Sequence, residues 1–160
     1  SWRNPVRMNY QILFDFISQI NYNDIIDYIE TADSVRGRQQ IGYEKIPVPM
    51  NDERFTKLIS KSLIAMNVSE EQGFGCWVLK YPIGSCISEG TDPAPFGLEH
   101  WRLNAVLQND SRAMFTIAGR AVNLYERDAV IFRPDICQHS VSTVEDLRLV
   151  WSVGVLKSNG

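Results

Sequence analysis

The sequence predicts an α+β fold, with a helical first part and a β-rich second part closed as a barrel or double sheet of the jelly-roll type. Two observations carry this. Up to about residue 73 the apolar residues recur at helical spacing, and from residue 74 onward they fall into short runs separated by turn signals. A run of helices followed by a run of strands is the pattern of segregated layers, not of alternating βαβ units. The 160 residues are long enough for one core and are read as a single domain, 1–73 mainly helical support and 74–160 the jelly-roll core.

Taken in order, Tyr10, Leu13, Phe14, Ile17 and Ile20 are spaced as one helical face. Asn23 then offers an N-cap for a short helix carrying Ile25, Ile26 and Ile29, so that helical structure is expected across 10–30. Residues 34–50 hold Gly37, Gly42, Pro47 and Pro49 and read as loop or a lone extended segment. Asn51 or Asp52 can cap the clearest helix, in which Phe55, Leu58, Ile59, Ser62, Leu63 and Met66 form a continuous face within 51–67. The candidate strands are 74–80, 83–88, 101–108, 113–118, 121–125, 129–133 and 147–156, with Asn109-Asp110 and Gly119-Arg120 as turns. The helices are expected to cover the outer face of one sheet.

Composition narrows the function classes. A net charge of −3 disfavours nucleic acid as the main partner, because phosphate neutralisation needs a basic surface. Arg36, Arg38 and Lys45 are the nearest thing to a basic patch. No run approaches the roughly 20 apolar residues of a membrane span, and no signal-peptide pattern opens the chain. Three cysteines, Cys76, Cys86 and Cys137, have no short metal-ligand spacing and suit a reducing cytoplasm as buried thiols. The expected partner is a small molecule or peptide, with no nucleic acid and no membrane; composition is silent on oligomeric state.

The chemistry concentrates in the second part. Arg148 lies in an apolar strand, Leu147-Arg-Leu-Val-Trp-Ser-Val-Gly154, where a guanidinium is costly unless paired. It shares a strand face with Val150, Ser152 and Gly154, while Leu147, Leu149, Trp151 and Val153 share the other. Two readings stay open from the residues alone: a structural ion pair with Glu145, Asp146 or another acid, or a clamp for an acidic ligand. Carboxylate and imidazole donors near a cavity suit a mononuclear iron site, whose remaining face is left for co-substrate and oxygen.

Residues 81–154 resemble the Fe(II)/2-oxoglutarate-dependent dioxygenases, most closely the prolyl-4-hydroxylase-like group. The resemblance runs through Tyr81-Pro-Ile-Gly84-Ser-Cys-Ile87-Ser-Glu-Gly90-Thr-Asp92-Pro93. It continues in Glu99-His-Trp-Arg102-Leu-Asn104, in Asp128-Ala-Val-Ile-Phe132-Arg-Pro-Asp135 and in Gln138-His139-Ser-Val141, and it ends at Arg148, nine residues past the histidine. It implies a double-stranded β-helix, Fe(II) and 2-oxoglutarate as cofactors, and oxidation, in the sense of hydroxylation, of a substrate it does not name. Asp92 and His139 would ligate iron. Arg148 would hold the 5-carboxylate of 2-oxoglutarate, with Tyr81 and Asn104 beside it. Thr91 would be a spacer.

The pattern is broken at one position: Gly90 stands where the family carries its first histidine ligand. His100 is the only other histidine and a possible third ligand; the neighbouring Glu89 should point to the opposite strand face. The alternative implied by this gap is a relative that binds 2-oxoglutarate, another small acid or a protein partner without turnover.

Overall fold

A computed structural model describes residues 10–36, 42–69 and 73–158. Two antiparallel sheets face one another across a cavity, and two helices pack on the outside of the larger one. The elements in chain order are β1 (Tyr10–Leu13), α1 (Gln19–Ile29), β2 (Val35–Arg36), β3 (Glu44–Pro47), α2 (Glu53–Ala65), β4 (Phe74–Tyr81), β5 (Ile87–Gly90), β6 (Leu98–Gln108), β7 (Phe115–Ile117), β8 (Arg120–Ala121), β9 (Ala129–Phe132), β10 (His139–Val141) and β11 (Arg148–Ser158). The larger sheet has the order β1-β9-β6-β11-β4-β3-β2, and the smaller β5-β10-β7-β8. This is the double-stranded β-helix expected from the sequence.

Period-two alternation builds the site. On β11 the side chains of Leu149, Trp151, Val153 and Val155 enter a core shared with Ile25 of α1 and with Phe55, Leu58, Ile59 and Leu63 of α2. The Trp151 indole N–H donates to Ser62 Oγ inside that core, at 3.1 Å. The alternate residues of the same strand face the smaller sheet, and Arg148 and Gly154 line the cavity there. β4 splits likewise, with Cys76 and Val78 toward the helices and Leu79 and Tyr81 toward the cavity side.

α2 begins where the sequence places it: the Asp52 carboxylate accepts the Arg54 N–H at 3.0 Å. α1 does not. Its cap is Ser18, whose Oγ accepts from the Asn21 N–H at 3.1 Å, and Asn23 lies inside the helix. The helix expected from residue 10 is replaced by β1, which pairs with β9 from Tyr10↔Phe132 to Leu13↔Ala129. The interruption is Asp15, at φ 51°, which a helix does not accommodate. Its N–H donates to Asp128 Oδ1 at 3.0 Å. Phe14 and Ile20, two members of the supposed apolar face, are 75% exposed, so here strand pairing overrides helical periodicity.

The segment 34–50 is more ordered than its glycines and prolines suggest. β2 and β3 form a hairpin whose second strand pairs with β4 from Glu44↔Lys80 to Pro47↔Trp77. Of the suggested basic patch, Arg38 lies outside the described residues, as does Gly37. The strand expected at 83–88 forms later, at Ile87–Gly90, and that expected at 121–125 is reduced to the end of a β7–β8 hairpin. β10 was not expected at all. Among the described residues no helix is long and apolar enough to cross a membrane. Cys76 and Cys137 are buried and Cys86 is half-buried.

Asp110 fixes the approach to β11. Its carboxylate accepts the backbone N–H groups of Arg112 (3.0 Å), Glu145 (2.6 Å) and Asp146 (3.0 Å), joining the end of β6 to the turn just before Arg148. Burial pushes its pKa up, but those three donors and the nearby Arg112 outweigh burial and hold the carboxyl below the usual aspartate value. The stability it contributes is therefore present above the unfolded-chain pKa of about 3.9 and is lost as pH falls through the lower folded value. Asp110→Asn should lower the melting temperature at neutral pH and flatten its acid dependence below about pH 4. Melting curves of both proteins across that range check this.

Candidate active site

The cavity between the sheets has a volume of about 720 Å³ and is lined by Tyr81, Asp92, His100, Arg102, Asn104, His139 and Arg148 among others. Every residue assigned to the site from the sequence therefore reaches one chamber, apart from Gly90, the strand partner of His139.

At the open end, Asp92 Oδ2 lies 3.4 Å from His139 Nε2; the carboxylate is 45% exposed and the imidazole 12%. Asp92 is positioned by its backbone N–H, which donates to the Pro134 carbonyl at 2.7 Å. His139 is oriented through Nδ1, which lies 3.0 Å from the Cys137 carbonyl. That bond keeps a proton on Nδ1, so the neutral ring carries its lone pair on Nε2, the tautomer a metal ligand requires, while the protonated ring donates its Nε2–H to Asp92. A hydrogen bond from the imidazole holds the Asp92 carboxyl below its ordinary value. Burial opposes protonation of His139, but the Asp92 carboxylate and the Cys137 carbonyl prevail and raise its pKa.

No third potential metal donor stands with Asp92 and His139 among the described residues. Among the described residues no three His, Cys, Asp or Glu side chains converge as a metal-binding group. His100, the possible third ligand, lines the cavity but is engaged elsewhere. Its Nδ1 faces the Asp92 carbonyl at 3.5 Å and its Nε2 faces Arg102 Nη2 at 3.2 Å. Since a guanidinium only donates, Nε2 must accept, and the lone pair needed for a metal is already used. Burial and the Arg102 charge lower the His100 pKa. At Gly90, by contrast, a Cβ would meet no atom within 4 Å, so the missing side chain leaves open space opposite His139.

At the closed end, Arg148 is 5% exposed, and its Nη1 is buried without a hydrogen-bond partner. The guanidinium carbon lies 4.6 Å from the Tyr81 ring centre and 5.6 Å from that of Phe115. Tyr81 stacks on Tyr43 with centroids 5.2 Å apart. The ion pair with Glu145 or Asp146 considered from the sequence does not form: both acids lie within 4 Å of Arg112 instead, at 3.6 Å and 2.6 Å. A buried cation whose neighbours are ring faces and the Tyr81 hydroxyl, with no carboxylate within 4 Å among the described residues, is poorly compensated by protein alone. Asn104 faces the cavity, and its Oδ1 accepts the Ser152 hydroxyl at 2.6 Å.

Sequence reasoning passed over Arg102 as part of a strand motif. It reaches the same chamber, donating to Ser152 Oγ at 2.7 Å, and burial lowers its pKa. The signal was present: His100, Arg102 and Asn104 alternate on one face of β6, as Arg148 and Ser152 do on β11.

No protein-family model and no curated protein sequence matches the chain. Solved structures do match its fold. HygX from Streptomyces hygroscopicus, with nickel and 2-oxoglutarate bound, superposes with a TM-score of 0.71 at 11% identity, over 94% of this chain and 83% of that one. A prolyl-4-hydroxylase from Pseudomonas putida gives 0.69 at 14% identity, over 95% and 94%. The viral collagen prolyl hydroxylase of Paramecium Bursaria Chlorella virus-1, in its 2-oxoglutarate complex, gives 0.66 at 12% identity, over 95% and 97%. The chain thus has the fold of the Fe(II)/2-oxoglutarate oxygenases, including the prolyl hydroxylases.

Proposed function

We propose that this protein binds 2-oxoglutarate in the inter-sheet cavity and acts as a 2-oxoglutarate-dependent oxygenase of hydroxylase type on a small-molecule or peptide substrate. The observation that carries the reading is the buried, unpartnered Nη1 of Arg148 in the chamber that also holds Asp92 and His139. Arg148 would take the 5-carboxylate of the acid, with Tyr81 forming the floor beneath the guanidinium and Asn104 on the adjoining wall. Asp92 and His139 would hold Fe(II), each already fixed by a backbone partner that leaves its donor atom toward the other.

When bound, the iron would supply oxygen activation coupled to oxidation of 2-oxoglutarate. The chain's own part is to orient the acid by its far carboxylate and to keep the deep end dry. Two protein donors bind metal more weakly than three, so iron occupancy is expected to depend on 2-oxoglutarate being present.

A second reading has its own observation: with no third donor among the described residues, Asp92 and His139 interact directly, as an acid–base pair. On that reading the chain binds the acid without turnover. Incubation with Fe(II), ascorbate and 2-oxoglutarate under oxygen separates the two. The oxygenase reading requires release of succinate above a metal-free control. If 2-oxoglutarate raises the melting temperature yet no succinate forms, the binding-only reading stands.

A further inference from the structure

The chamber holds a second guanidinium that the proposed chemistry leaves unused. Arg102 lies on β6 opposite Gly154, whereas Arg148 begins β11, paired with Tyr81. Between Arg148 and Ser152, the residue to which Arg102 donates, lie four strand steps, on the order of 13 Å. An extended five-carbon diacid spans roughly the length of two residues, about 7 Å, about half that backbone separation. Neither arginine forms an ion pair with a carboxylate among the described residues.

Arg102 is built into place. Nη1 donates to Ser152 Oγ at 2.7 Å, and Ser152 in turn donates to Asn104 Oδ1 at 2.6 Å. Nη2 meets His100 Nε2 at 3.2 Å. The guanidinium lies directly over Gly154, where a Cβ would come within 2.7 Å of Nη2; only glycine leaves that space. Phe74, Trp77 and Leu156 line the same chamber. Ten heavy atoms of 2-oxoglutarate displace roughly ten waters, about 300 Å³ at most, so a cavity of about 720 Å³ admits a second small molecule.

We propose that Arg102 anchors an anionic group of the prime substrate, which is therefore an organic acid with an apolar body, bound between Arg102 and the Phe74–Trp77 side of the chamber. This rests on the assignment of Arg148 to the co-substrate. Ser152 and Asn104 set the guanidinium at its post, and Gly154 gives it room.

The test uses benzoate as the anionic probe and benzyl alcohol as its neutral counterpart, titrated into the full chain with 2-oxoglutarate saturating. Benzoate should bind at least about tenfold more tightly than the alcohol, the difference a charge-assisted hydrogen bond makes. Arg102→Leu should abolish that preference while the affinity for 2-oxoglutarate changes by less than about twofold. Gly154→Ala keeps the charge but displaces the guanidinium, and should reproduce the loss even if Arg102→Leu fails to fold. Equal binding of acid and alcohol overturns the proposal. So does benzoate binding that survives both substitutions, or loss of 2-oxoglutarate in place of benzoate in Arg102→Leu. If 2-oxoglutarate does not bind the unaltered chain, the assignment of Arg148 falls. Benzoate binding that Arg102→Leu removes and Arg148→Met spares would still uphold Arg102.

Discussion

Arg148→Met should abolish the stabilisation of the protein by 2-oxoglutarate and leave the ligand-free protein as stable as before, or more so. The two halves have one cause. Arg148 is buried with Nη1 unpartnered, so in the ligand-free chain its charge is a desolvation cost only partly offset by the Tyr81 hydroxyl and the faces of Tyr81 and Phe115. Replacing a poorly paired buried ion with an apolar side chain of similar size is often neutral or stabilising, by up to about 4 kcal/mol. A bidentate guanidinium–carboxylate contact contributes two charge-assisted hydrogen bonds of about 1.5–3 kcal/mol each. Losing both should weaken 2-oxoglutarate binding by more than about a hundredfold. Melting curves of both proteins, with and without 2-oxoglutarate, check both signs. A substitution that destabilises the ligand-free protein strongly while 2-oxoglutarate still binds would make Arg148 a structural residue.

Gly90→His should tighten binding of a divalent metal, read with Mn(II) or Ni(II) by calorimetry, by about a hundredfold. Structural zinc sites with four protein ligands release about 10–16 kcal/mol, which puts one ligand near 3 kcal/mol. That corresponds to roughly two orders of magnitude in affinity. The geometry favours the gain: Gly90 is the strand partner of His139, its backbone is not left-handed, and nothing within 4 Å obstructs a side chain. An unchanged affinity would mean that the new imidazole does not point at the Asp92–His139 pair.

The parts of this site legible in the sequence were those where one residue violates its surroundings. Arg148 interrupts an apolar strand, and that alone places it on a face with Ser152 and Gly154. Asp92 and His139 were legible only as spacings within a family pattern. No local propensity marks β10, three residues long and placed by pairing with β5 and β7 on either side. Arg102 was hidden because β6 is half-buried along much of its length, so its charge did not stand out as that of Arg148 did.

In the first part of the chain, α2 was readable because cap, periodicity and burial agree. β1 was misread because its pairing with β9 is tertiary, while the apolar spacing from Tyr10 to Ile20 fits a helix by coincidence. The β2–β3 hairpin was obscured in the same way, since its order comes from docking on β4.

The claim on which the rest depends is that one chamber holds a metal at Asp92 and His139 and a diacid at Arg148 together. Anaerobic addition of Fe(II) and 2-oxoglutarate to the unaltered protein tests it most directly, followed by visible absorption. The expected result is the weak charge-transfer absorption of iron chelated by 2-oxoglutarate, absent when either component is omitted and absent in Arg148→Met. Iron and 2-oxoglutarate that each bind yet give no such absorption together would place them at separate sites and contradict the account.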